Sequence, residues 1–206
     1  MCIRDSNKLM FRANDGTNGA ELWSHDGTTT VMAANVAPGA DGGSPTELIV
    51  FNNRLLFRAN TGAHGIELYS YDGTTVTVTG NIAAGGDSSY PEYFTIFNGK
   101  LYFQANDVTS NAELWAYDGT NLGLVAEIFP GATGSYASGF QVVGDNMYFA
   151  AAQPGVGYEL WVLEGNTPRF ISDIRVGANT SEPRYFRELD GLIYFCLLYT
   201  SDAADE

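Results

Sequence analysis

A tripeptide that returns every 46 residues, turn dipeptides and glycines in step with it, and the lack of any long amphipathic helical run predict an all-β chain. The expected form is a β-propeller fragment of four 46-residue repeats, each folded as a four-stranded antiparallel blade. Glu21-Leu22-Trp23 recurs as Glu67-Leu68-Tyr69, Glu113-Leu114-Trp115 and Glu159-Leu160-Trp161. Phe11, Phe57, Phe103, Phe149 and Phe195 share one column, and Gly39, Gly85, Gly131 and Gly177 another. Asp26-Gly27, Asp72-Gly73, Asp118-Gly119 and the variant Glu164-Gly165 form a third.

The first strand of a blade is read at 47–52, 93–98, 140–144 and 185–190. These segments run into Asn52-Asn53, Asn98-Gly99, Gly144-Asp145 and Asp190-Gly191, pairs that favour a type I′ hairpin. The second strand follows at 9–14, 55–60, 101–106 and 147–152, and a looser loop leads from it into the Glu-Leu-Trp strand. That third strand turns at Asp-Gly into a fourth, rich in Thr, Val and Ala. One connection per repeat is long: 37–45, 83–91, 129–137 and 175–183. An outermost strand that hands over to the innermost strand of the next blade needs the longest loop, so the blade boundary is placed there. Complete blades are then expected over 46–82, 92–128 and 138–174, after a first blade lacking its inner strand and before a fifth cut after two strands. Along 101–106, Leu101 and Phe103 point one way and Tyr102 the other, and Leu114 opposes Trp115 in the same sense. Both faces of the sheet are apolar, so each must be covered by a neighbour.

The two ends read differently from the repeats. The head MCIRDS can be encoded by ATG TGT ATA AGA GAC AG, whose reverse complement, read one base on, encodes the Cys-Leu-Leu-Tyr-Thr of 196–200. Segments 1–6 and 196–206 resemble translations of one sequencing-library adapter in its two orientations, scars to be set apart from the fold. The repeats occupy 7–195, as 7–52, 53–98, 99–144, 145–190 and the start of a fifth at 191–195. Both cysteines, Cys2 and Cys196, fall in the scars, which removes support for disulfide or thiol chemistry. The scars carry a net −3, so the formal charge of −14 becomes −11. An acidic chain with Lys8 and Lys100 as its only lysines repels phosphate backbones, so nucleic acid is excluded as a partner. No apolar run approaches the roughly 20 residues of a membrane-spanning helix. Richness in Gly, Asn, Thr and Tyr without native Cys suits an extracellular bacterial protein.

ELWSHDGT from Glu21, ELYSYDGT from Glu67, ELWAYDGT from Glu113 and the degenerate ELWVLEGN from Glu159 resemble the ELWxxDGT repeat family. The resemblance covers nearly all of 7–195. It implies propeller-forming repeats of large bacterial surface and secreted proteins, with no agreed catalytic activity. The fourth copy lacks the Asp and Thr, and an irregular hairpin is expected there.

The ring column Trp23, Tyr69, Trp115 and Trp161 offers platforms for sugars, but one large ring at a fixed place in every blade is more simply packing between blades. Glu21, Glu67, Glu113 and Glu159 lie two residues earlier on the same strand face, where a carboxylate can accept loop amide hydrogens and lock the crossover. No cofactor is expected. The loop 14–19 is rich in oxygen ligands, yet its counterparts 60–65 and 152–157 are poor in them, which argues against a calcium ladder. His25 and His64 sit in different columns and are read as solvated loop residues.

Variation between copies gathers in the loop after the second strand and in the crossover. That end carries Asn14, Asp15, Asn18, Asp41, Asn60, His64, Asp87, Tyr90, Asn106, Asp107, Asn111 and Tyr136, a polar surface with aromatic points suited to a glycan or protein ligand. The leading expectation is a non-enzymatic binding or structural module of a bacterial surface or secreted protein, completed by further blades of the same polypeptide. The alternative is a propeller enzyme such as a glycosidase using channel-facing acids, for which Glu47 and Glu188 are the inner-strand candidates, in different columns, with Glu92 at a strand mouth.

Overall fold

The computed structural model describes residues 2–5, 8–109 and 111–197; the outer parts of both adapter-like segments lie outside these residues. Four four-stranded antiparallel sheets and a two-stranded one follow each other along the chain. The first holds β1 (Cys2–Asp5), β2 (Lys8–Asn14), β3 (Ala20–His25) and β4 (Thr30–Ala34). The second holds β5 (Thr46–Phe51), β6 (Arg54–Asn60), β7 (Ile66–Tyr71) and β8 (Val76–Gly80). The third holds β9 (Glu92–Phe97), β10 (Lys100–Asn106), β11 (Ala112–Tyr117) and β12 (Leu122–Ala126). The fourth holds β13 (Ser138–Val143), β14 (Asn146–Gln153), β15 (Gly157–Glu164) and β16 (Thr167–Ser172), and the last pairs β17 (Arg184–Leu189) with β18 (Leu192–Cys196). Strand order within each sheet is sequence order. Among the described residues there is no helix, hence none long and apolar enough to cross a membrane.

The first strands of successive sheets, β1, β5, β9, β13 and β17, lie against one another, so they form the inner row and the Glu-Leu-Trp strand is third from it. Asn52 and Asn53, Asn98 and Gly99, and Asp190 and Gly191 are left-handed in pairs, as a type I′ turn requires. The fourth turn departs from this expectation: only Gly144 has positive φ, the pattern of a type II′ turn, because Asp145 has no need of the left-handed region that Gly enters freely. A bulge opposite the Leu-Trp step recurs in the fourth strand of all four complete sheets, releasing the chain toward the crossover.

The cores lie between sheets. Met10, Leu22 and Val36 of the first meet Leu55, Phe57 and Tyr69 of the second. On the opposite face of the second, Phe51, Leu56 and Leu68 meet Leu101, Phe103 and Ala105. Phe97, Tyr102 and Leu114 likewise meet Met147, Phe149 and Trp161. Alternate residues of one strand therefore enter different cores, and each large side chain so buried contributes about 1.5–3 kcal/mol. Trp115 and Trp161 sit in these inter-sheet layers, and Tyr69 does so with a hydroxyl 2.7 Å from that of Thr61.

Two further expectations are corrected. The first sheet does not lack its inner strand: Cys2–Asp5 pairs with β2, in register Cys2 to Phe11. A free edge on β2 accepts any extended segment that a two-residue connection brings alongside, because the pairing is made by backbone groups. The fourth Glu-Gly hairpin is altered but regular. Thr167 pairs directly with Glu164, Gly165 supplies the positive φ, and Arg169 closes on the Glu164 carboxylate at 2.5 Å.

Candidate functional site

The four repeat glutamates are fully buried at the start of the third strand, and the crossover loop folds over each of them. Glu67 accepts hydrogen bonds from the amides of Ile82, Ala83 and Ser89 at 3.0, 3.1 and 3.2 Å, and from the Ser89 hydroxyl at 2.5 Å. Glu113 repeats this with Ile128, Phe129 and Ser135. Glu159 does so with Ile174 and both donors of Ser181. At Glu21 the serine is replaced by Gly43, leaving three amides, of Val36, Ala37 and Gly43. Burial pushes the carboxyls of Glu67 and Glu113 above their ordinary range, against the pull of these hydrogen bonds. The acceptor capacity of these acids is spent on the crossover, which leaves them inaccessible to a substrate.

A column invisible as a motif keeps the two variable loops together. Gly19, Gly65, Asn111 and Gly157 all have positive φ, and a Cβ on Gly65 would stand 2.1 Å from the Asp87 carbonyl oxygen. Asn111 tolerates the same conformation and ties its amide to the carbonyls of Ala132 and Thr133. The loop after the second strand thus packs on the crossover of the same sheet at one end of it.

The polar residues expected on that end are only partly gathered. Asn106 and Asn111 line a small groove of about 180 Å³ with Val108 and Thr109, and the Tyr136 hydroxyl lies 3.4 Å from Asn111. Asp107 accepts from Thr109, while Asp15 accepts from Thr17 and from the backbone and side chain of Asn18, which holds its carboxyl below the usual range. Asn14 and Asn60 cap their own turns at Gly16 and Gly62. Asp41 and Asp87 are exposed in the crossovers next to Gly19 and Gly65, His64 is half-buried and Tyr90 exposed. His25 is bonded to Thr30.

The inner-strand acids lie on three different sheets. Glu92 is ion-paired with Arg58, Glu188 accepts the Gly191 amide within its own turn, and Glu47 stands at the mouth of a different strand. Among the described residues no group of three or more His, Cys, Asp or Glu side chains is placed to hold a metal ion.

A further cleft, of about 600 Å³, lies at the mouths of β9, β13 and β17. It is lined by Glu92, Tyr93 and Gln104 from the third sheet, Tyr136, Ser138, Gly139 and Tyr158 from the fourth, and Pro183, Arg184 and Tyr185 from the fifth. Tyr158 bonds the Ser138 hydroxyl and donates to the Tyr136 carbonyl at 2.9 Å, and burial pushes its pKa up to about 12. Arg184 is paired with Glu182 at 2.6 Å. Two columns bring left-handed backbone here at residues other than glycine. Ser44, Tyr90, Tyr136 and Glu182 form one, and Glu47, Tyr93 and Tyr185 form the other with Gly139. Sequence reading missed both, because Tyr and Glu give no signal for positive φ. The 46-residue recurrence of the columns was the sole available hint. Tyr136 is the one expected ligand-face residue in this cleft.

The arrangement of sheets matches β-propeller domains. The β-propeller domain of the trilobed protease from Pyrococcus furiosus superposes with a TM-score of 0.57 at 14% identity, covering 82% of this chain and 53% of that one. The acylaminoacyl peptidase of Pyrococcus horikoshii gives 0.57 at 15%, covering 94% and 31%. A puromycin hydrolase gives 0.56 at 18%, covering 92% and 31%. The chain therefore spans about half of the first and under a third of the other two. No protein-family model matches the chain, and no curated protein matches it. The fold is all-β and of the propeller kind. The expectation of a non-enzymatic binding or structural surface module is overturned by these neighbours, a protease domain, a peptidase and a hydrolase. That expectation rests on the polar variable loops and on the resemblance of the repeats. Blade residues record how sheets pack, and that packing is the same whether or not a catalytic domain is attached.

Proposed function

We propose that the chain is part of the propeller domain of a larger enzyme of peptidase type, built from four 46-residue repeats and completed by further blades of the same polypeptide. In this reading the propeller holds and orients substrate while chemistry is done elsewhere in the enzyme. The observation that carries it is the superposition of more than four-fifths of the chain on the propeller domain of a protease and on about a third of the length of other peptidases. Commitment of the four repeat glutamates to the crossovers is consistent with a supporting role for the blades. The ELW and DGT columns and the adapter-like ends belong to the same proposal: the repeats are the native part.

The test is to recover the contiguous gene, express its product and assay hydrolysis of capped peptides. Peptide hydrolysis that is lost when the propeller is deleted is the expected result. A product that cleaves neutral polysaccharides and leaves peptides intact would overturn the proposal in favour of a glycosidase.

A further inference from the structure

We propose that the cleft at the mouths of β9, β13 and β17 binds an extended, uncharged, proline-rich peptide segment, its rings seated between Tyr93 and Tyr185. The proposal rests on the peptidase reading for its biological sense, and on the cleft alone for its chemistry.

The cleft is a departure from the repeat rather than a product of it. Gly139 occupies the column that carries Glu47, Tyr93 and Tyr185, so a side chain is missing where its neighbours place one. The gap is enforced. Gly139 has φ +70°, and a Cβ there would lie 3.0 Å from the ring of Phe186. Tyr158 stands where the other copies have Ala20, Ile66 and Ala112, and it turns an aliphatic wall into a hydroxyl-bearing one.

Tyr93, Tyr136 and Tyr185 flank this gap with rings that are 46%, 47% and 73% exposed, each held on left-handed backbone. Rings exposed in this way bury apolar area only when something is laid against them. The two charged groups of the lining are already paired, Glu92 with Arg58 and Arg184 with Glu182, so the cleft favours an uncharged ligand. Tyr158 and Ser138 spend their hydroxyl hydrogens on the Tyr136 carbonyl and on each other, which leaves the Gln104 amide and the hydroxyls of Tyr93, Tyr136 and Tyr185 as donors that suit carbonyl oxygens. A polyproline II segment offers carbonyls free of internal hydrogen bonds, flat apolar rings and little conformational entropy to lose, and aromatic-lined grooves recognise it on these grounds. The volume of about 600 Å³ is in the range of small-ligand sites.

Calorimetric titration of the 206-residue chain with a capped, neutral decaproline peptide is expected to show saturable binding. Tyr93→Ala and Tyr185→Ala should each weaken it about tenfold, with thermal unfolding unchanged because both rings are exposed. Tyr90→Ala, an exposed ring outside the cleft, should keep the wild-type affinity. Absence of saturable binding, or equal weakening by Tyr90→Ala, overturns the proposal. Binding of a neutral hexasaccharide that decaproline does not displace overturns it in favour of a glycan site. None of these readings depends on hydrolysis, so this proposal and the peptidase reading fail separately.

Discussion

Replacing Glu113 by Gln keeps the shape of the side chain and removes one of its two acceptor oxygens. In the native arrangement Oε2 accepts from the Ile128 amide at 3.0 Å and the Ser135 hydroxyl at 2.6 Å, while Oε1 accepts from the amides of Phe129 and Ser135 at 3.0 and 3.1 Å. With Nε2 in place of Oε2, glutamine can donate to the Ser135 hydroxyl, whose hydrogen then turns to the Ala112 carbonyl 3.4 Å away. The Ile128 amide is left facing an NH₂ group. The opposite rotamer orphans two amides and is worse. One orphaned buried donor costs about 1–3 kcal/mol, and weakening the remaining charge-assisted bonds costs about 1 kcal/mol more. Relief of the carboxylate's desolvation, which burial makes unfavourable, offsets part of this. A net loss of about 2–3 kcal/mol is expected, which lowers Tm by about 4–12 °C for a chain of this length. Urea unfolding gives the free energy, and amide exchange at Ile128, Phe129 and Ser135 reports the loop. Stability within about 0.5 kcal/mol of wild type, with exchange unchanged, would refute the idea that the carboxylate holds the crossover.

Trp115→Ala should cost about 3–5 kcal/mol with no ligand present, because the ring fills the layer between the second and third sheets; unchanged stability in urea would place it outside that core. Gly65→Ala should cost over about 2 kcal/mol more than Gly85→Ala, since both have positive φ but only Gly65 has backbone 2.1 Å from the added carbon. Burial raises the carboxyl pKa of Glu67 and Glu113, so their stabilising contribution is full below the unfolded value near 4.5 and is lost as pH rises through the folded values. The stability gap between wild type and the Glu67→Gln, Glu113→Gln double variant should therefore narrow from about pH 4 to pH 7. A gap that widens with pH in denaturant titrations would refute this sign, since ionisation would then favour the folded state.

Features that depend on chain-local chemistry were legible. Asn98-Gly99 announces a tight hairpin because both residues accept left-handed backbone, and alternation along 101–105 announces two covered faces because strand side chains alternate. The Glu113 column could be read as an acceptor for loop amides from its place two residues before an aromatic. The cleft was not legible. Its walls come from three sheets, and its opening depends on Gly139 being narrow beside Phe186, a relation of distance that no local pattern encodes. The ligand-face residues were chosen as polar loop positions, yet Asp15, Asn14 and Asn60 turned out to be occupied with their own turns. A residue type says which hydrogen bonds are possible; the fold decides whether the neighbouring backbone takes them first.

The distances along the chain between each glutamate and its donors have a consequence for how such a protein grows. Glu67 reaches amides 15, 16 and 22 residues downstream, and Glu113 reaches the same three offsets. Both halves of the lock therefore lie inside one 46-residue stretch. A duplicated gene segment of that length, inserted in frame, brings a complete buried polar cluster with it and asks its neighbours only for apolar faces. Tandem duplication then leaves no orphaned carboxylate and no unclosed crossover, whatever the final number of copies.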